Sequence, residues 1–248
     1  MHSISHSNQY PSPFKFGFDW EITDRLRYSF SHSYLRSLIE DTTAYWYDNV
    51  GRNFPYVSKN MAFHRIEWEP KEWVKLGFSE FAVYANRSLE MTYIFGQFLS
   101  FLPLQYYLDD TDNINMVFDI SIRINKNKFY GVLLIDEWMP PLTFKKINRN
   151  WFGWQGGFEL IDIVFKGSML NMEYNWTDHR IYRHRFPVND MYSWEYPVGF
   201  WAGPHSQELY ARFTFPVYGN NMSIIYSDAK RGELTDQMLS DQYATEYY

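Results

Sequence analysis

Asp136-Glu137 is the residue pair that first suggests bond-breaking chemistry in this chain. Glycoside hydrolysis uses two carboxyl groups that flank the scissile bond. Here the pair lies in an alternating segment, where neighbours point to opposite faces. At most one of the two therefore reaches a given side, unless a bulge re-aims it. Further charges fall in similar segments: Glu80, Asp119, Arg123 and Glu173, with His64, Arg65 and Arg87 nearby. The simpler reading is a polar network, carboxylates paired with guanidinium groups, that fills and stiffens a wet interior. On that reading no catalytic residue is assigned, and the chain is expected not to be an enzyme.

A second group is aromatic and basic. Trp138, Trp151, Trp154, Tyr182, Tyr192, Trp194, Tyr196 and Trp201 fall in or beside long connections. A flat ring with a polar edge suits the C–H face and hydroxyl rim of a sugar. Arg180, Arg183, His184 and Arg185 form a basic cluster in the same stretch, suited to an acidic sugar. The polysaccharide-binding candidates are Trp138, Trp151, Arg180, Tyr182, Arg183, His184, Tyr192, Trp194 and Trp201. The competing reading is that these rings mark a membrane interface or pack a loop.

Other chemistry is poorly supported. Asp109-Asp110-Thr111-Asp112-Asn113 is rich in oxygen but lacks the glycine and distal glutamate of a calcium loop, and reads as a solvated turn. No phosphate-binding glycine loop or Gly-x-Ser-x-Gly elbow occurs. There are no cysteines, so no disulfide or thiolate metal site forms. The net charge of -6, with no offsetting Lys/Arg cluster, argues against nucleic acid. Neither cofactor nor metal is expected.

The elements that must carry these residues show a strong rhythm. Met116, Phe118, Ile120, Ile122 and Ile124 alternate with Val117, Asp119, Ser121, Arg123 and Asn125. Leu170 to Trp176 and Phe14 to Trp20 repeat the alternation, which is that of strands with one apolar and one polar face. Aromatic residues make up 21% of the chain and gather on the apolar face, as in a membrane barrel with a polar lumen. No apolar run approaches the roughly 18 residues of a transmembrane helix. Strands are expected at 14–21, 24–34, 61–69, 73–83, 115–125, 128–137, 151–165, 168–177, 207–216 and 221–227. Tight connections alternate with long ones at 35–60, 84–114, 138–150, 178–206 and from 228 onward. Short turns on one rim and long loops on the other is the asymmetry of outer-membrane barrels, periplasmic against extracellular. The expected class is an all-β, antiparallel outer-membrane barrel over 1–248. The 84–114 loop, too apolar to stand in water and containing a possible short helix at 89–99, is expected to plug the mouth. The N-terminus lacks the basic and apolar regions of a signal peptide, and the barrel is expected to be truncated at both ends.

The order of several short motifs resembles the Wzi family of outer-membrane capsule-assembly proteins. They are His64-Arg65-Ile66-Glu67, then Lys75 to Tyr84 with Leu76-Gly77 and Glu80, followed by Arg87. Phe101 to Tyr107 with Asp112-Asn113 comes next, and Tyr130-Gly131 leads to Asp136-Glu137. Met172-Glu173-Tyr174, Tyr182-Arg183-His184, Tyr192, Gly199 and Gly203-Pro204 complete the match, which runs from about residue 60 to 232. It departs at His205-Ser206, where an acidic residue is expected after Gly-Pro. The resemblance implies a barrel larger than ten strands, occluded, with a periplasmic helical region before it. It also implies a lectin-like role, attaching capsular or extracellular polysaccharide to the cell surface. The expected partners are that polymer and outer-membrane lipid, with the protein acting as a monomer. A porin or transporter is the alternative, and predicts an open lumen.

Overall fold

Ten strands hydrogen-bond in chain order into one antiparallel sheet in the computed structural model. Residues 4–5, 11–42, 55–95, 108, 111–137, 141, 150–235 and 237–238 are described, Phe95 and Glu137 by backbone alone. Trp138, Asp109-Asp110 and residues 96–107 of the expected plug lie outside them. The sheet comprises β1 (Phe14–Thr23), β2 (Leu26–Glu40), β3 (Tyr56–Lys71), β4 (Val74–Ala85), β5 (Asn113–Ile124), β6 (Asn127–Glu137), β7 (Trp151–Ile161), β8 (Met169–Thr177), β11 (Ser206–Val217) and β12 (Asn220–Arg231). Between β8 and β11 lies a two-stranded hairpin, β9 (Tyr192–Ser193) and β10 (Tyr196–Pro197). A single turn of helix, α1 (Met91–Phe95), follows β4.

The alternation of residue types fixes which face each side chain takes. Register places Asp119 beside Gly77 and Val132, and Glu173 beside Gly157 and Tyr210. These inward positions carry the polar groups. The opposite face carries Phe16, Phe18, Trp20, Phe118, Phe129, Trp154 and Ile224, all exposed. An apolar groove of about 630 Å³ around Trp68, Phe78 and Phe118 lies on this outward side. Such a face is stable against lipid and a poor match for water. Aromatic neighbours touch along it, Phe78 with Phe118 at 4.6 Å and Trp154 with Tyr174 at 5.1 Å.

Every described short connection lies on one rim and every long one on the other. β2 extends to Glu40 and β3 begins at Tyr56, so the expected 35–60 loop shrinks to 41–55. β7 ends at Ile161 rather than 165, because Asp162 turns into the left-handed region (φ 59°). Its carboxylate then accepts from Gly167 N at 2.6 Å and pairs with Lys126 across the turn rim.

The expected 84–114 plug rests largely on residues outside those described. Of the 84–114 loop, the described helix α1 packs on the outward face. Tyr93 is buried there against Ala62, Ala82, Tyr84 and Ile114. The inward face is instead covered by the 178–206 stretch. Ile181, Tyr182, Met191, Val198 and Phe200 pack on Leu35, Met61, Phe81, Val117 and Leu134, together with Ile4. Apolar burial decides the matter: 178–206 brings five large buried side chains to the inward wall, whereas α1 matches small outward residues. Among the described residues, that stretch plugs the inward wall.

Candidate functional site

The polar network of the wall is real but narrower than its sequence suggests. Arg65 grips Asp119 with two parallel bonds, 2.6 and 3.0 Å, and reaches Glu67 at 3.2 Å. Lys75 donates to Glu67 at 2.7 Å. Gly77 makes this possible. A Cβ there would fall 2.2 Å from Asp119 Oδ2, so a bare backbone lets Asp119 cross β4 to Arg65. Glu173 accepts from Tyr130 OH at 2.7 Å and from Asn175 at 3.2 Å. Arg123 is exposed near the turn rim.

His64 and Glu80 do not belong to the lumen. They face each other across β3 and β4 on the side opposite Arg65 and Ser79. Strand parity puts them outward, on the side of Phe78 and Phe118. There His64 Nε2 meets the Tyr93 carbonyl at 3.0 Å and its Nδ1 meets Tyr28 OH at 3.2 Å. Arg87 lies past the end of β4, paired with Asp112 at 2.5 Å and stacked on Tyr84. Asp112 also accepts from Tyr93 OH at 2.6 Å. The Asp136-Glu137 pair separates: Asp136 accepts from Tyr182 N at 2.6 Å, tying wall to plug, and a bulge between Ile135 and Glu137 follows.

The loop candidates divide by burial. Trp151 and Tyr182 are buried, at 4% and 0% exposure, and so offer no platform to a polymer. Tyr182 donates to the Ile4 carbonyl at 2.5 Å and accepts from Phe200 N at 3.0 Å. Burial pushes its phenol well above the usual range. Arg180 lies over Trp151 and pairs with Asp178 at 3.1 Å. Arg183 stacks on half-buried Tyr192 and pairs with Asp190 at 2.7 Å. Asp190 also accepts from His184 N at 2.7 Å, while its carbonyl takes Lys59 Nζ at 2.5 Å. Burial raises the Asp190 carboxyl, with Arg183 opposing. These groups latch the plug. The expected basic cluster is thus largely spent on internal pairing.

Trp194 and Trp201 remain displayed, at 45% and 38% exposure. Trp201 is anchored by its Nε1, which donates to Glu208 at 3.1 Å. Trp194 sits at the tip of the β9–β10 hairpin in the left-handed region (φ 57°). Non-glycine residues seldom adopt it, and strain of this kind gathers at functional sites. The hairpin docks on the end of β2: Trp194 N donates to the Arg36 carbonyl at 2.8 Å, and Arg36 N to Ser193 Oγ at 3.2 Å.

Beside Trp194 opens a cavity of about 600 Å³ at the long-loop rim. Its lining includes Arg36, Lys59, Arg87, Tyr34, Phe14 and Ser58, with no carboxylate among the described residues. The volume falls in the range of roughly 300–1,000 Å³ usual for ligand sites. Arg87 is paired with Asp112 and buried Lys59 is held by Asp190, so Arg36 is the cation that this aromatic-walled concavity presents. Arg36, Lys59, Asp190 and Glu208 were missed from sequence. Arg36 lay in a segment read as loop. Glu208 was findable, being on the polar parity of its strand, with Ser206, Tyr210 and Arg212.

No family model and no curated relative matches the chain. A solved structure does, over 93% of this chain: Wzi of Escherichia coli, an outer membrane protein involved in group 1 capsule assembly and described as a carbohydrate-binding β-barrel. The TM-score is 0.58 at 14% identity, and the chain spans 60% of that protein's length. The likeness establishes the fold, a barrel wall of the outer-membrane type.

Proposed function

We propose that this protein is an outer-membrane lectin that holds an acidic capsular or extracellular polysaccharide at the cell surface. The observation that carries the reading is the rim cavity, where Trp194 stands beside Arg36 with no carboxylate among the described lining residues. Aromatic faces stack on sugar rings, and guanidinium groups take carboxylates in two parallel bonds. The solved structure with this fold is a carbohydrate-binding barrel, which supports the same reading. The outward belt of exposed aromatics supports a place in the outer membrane, with lipid around a monomeric wall and the long loops at the surface. Binding rather than catalysis fits carboxylates that are already engaged by Arg65, by Tyr130 and by the plug backbone.

Calorimetry on the full-length protein in neutral detergent tests the proposal. A uronic-acid polymer is expected to bind, a neutral glucan much more weakly, and Arg36→Gln to weaken the acidic polymer by about tenfold, or about 1.4 kcal/mol. Equal binding of both polymers, or an unchanged affinity in Arg36→Gln, contradicts it.

A further inference from the structure

On the outer side of the long-loop rim, away from Trp194, lies a second cavity of about 340 Å³. Trp176, Gln207 and Lys230 stand side by side across β8, β11 and β12, all on the outward parity. His179 and His205 close the cavity above them, their rings edge to face at 5.7 Å. His205 is built into place. Its backbone is left-handed (φ 54°), its N donates to the Asp178 carbonyl at 3.0 Å, and its Nδ1 reaches the Glu233 carbonyl at 2.9 Å. A side chain at Gly232 would collide with this ring at 2.2 Å, so the chain is bare where the imidazole sits.

The polar groups left over are donors. Tyr174 OH donates to Gln207 Oε1 at 2.9 Å, which leaves that amide its N–H groups. Lys230 has no ion-pair partner among the described residues. The Asp178 carboxylate is engaged by Arg180 Nε at 3.1 Å and by His179 Nδ1 at 3.2 Å. The His205 imidazole gives its Nδ1–H to the Glu233 carbonyl, and His179 Nδ1 lies beside the Asp178 carboxylate. The other charges nearby are Asp228, two residues from Lys230 on the same face, and the exposed Glu233. A set of donors on the outward wall, above a tryptophan at the level of headgroups, fits an acceptor-only anion carried by lipid.

We propose that this cavity binds the phosphate of a lipid headgroup in the leaflet around the barrel. The proposal rests on the outer-membrane reading above and is independent of the polysaccharide. Native mass spectrometry of the full-length protein in neutral detergent tests it, with phosphatidic acid, the matching diacylglycerol and glycerol 3-phosphate as probes. Phosphatidic acid should be retained about tenfold over diacylglycerol. Lys230→Gln and His205→Asn should each lower that retention several-fold. Asparagine tolerates the left-handed backbone, so the second variant removes the ring alone. Polymer binding on the same samples should stay unchanged, which separates failure of this site from failure of the lectin. Equal retention of diacylglycerol, retention unaltered in both variants, or displacement by an equal concentration of glycerol 3-phosphate would overturn the proposal.

Discussion

Trp194 carries two burdens that a single substitution separates. Its backbone is held in the left-handed region, which costs a side-chain-bearing residue about 1 kcal/mol. Its ring is nearly half exposed beside the cationic cavity. Trp194→Gly removes strain and ring together. The expected outcome is unchanged or slightly higher thermal stability, with affinity for an acidic polymer reduced at least about tenfold. Loss of both stability and binding would instead make the ring a packing element. His179 gives a second prediction at this scale. Burial lowers its pKa below the usual 6.5, with Arg180 and His205 assisting and Asp178 opposing. A group whose folded pKa is lowered stabilises the fold above its unfolded value, and that contribution is lost as pH falls through the folded one. His179 should therefore be neutral at pH 7 and titrate below 6.5 in an NMR titration without lipid. Titration at or above 6.5 would contradict the burial seen for its ring.

The elements explain why some of this was legible and some was not. Strand parity in β5 and β8 is written in alternating residue types, and the ten-strand order with sorted loops follows from it. Parity also contained the error at His64 and Glu80, whose side is fixed by register with Arg65 and Ser79. The identity of the plug was not legible, because both 84–114 and 178–206 contain apolar residues. Only the shape of the wall decides which one fits inside. Nor was the paired state of Arg180 and Arg183 visible, since Asp178 and Asp190 meet them through loop geometry. The latch makes a prediction. Asp190→Ala leaves Arg183 and His184 N without their acceptor, and should destabilise the plug by roughly 3 kcal/mol. Hydrogen exchange should then rise across 178–206 and stay low in the β3–β6 wall. Uniform exchange through the wall would deny the plug its separate stability. Gly77→Ala works on the wall itself. The added methyl would force Asp119 off Arg65 and cost about 1–3 kcal/mol, read as a lower Tm.

Across the whole molecule, an apolar outer belt, a polar inner wall and an apolar plug form concentric layers. The plug is tied to the wall by Lys59, Asp136 and Arg36, on three different strands. On the proposed reading the rim presents the binding groups and 178–206 covers the inner wall, as an anchor rather than a pore requires. The protein in planar bilayers should carry no steady ionic current, and a stable current would favour the transport reading. The most direct test of the anchoring claim is polysaccharide retention by living cells. Cells whose only copy carries Arg36→Gln with Trp194→Ala should make the usual total of surface polysaccharide, yet release more of it to the medium, and a gene deletion should do the same. Retention equal to wild type in both the variant and the deletion strain would contradict the claim.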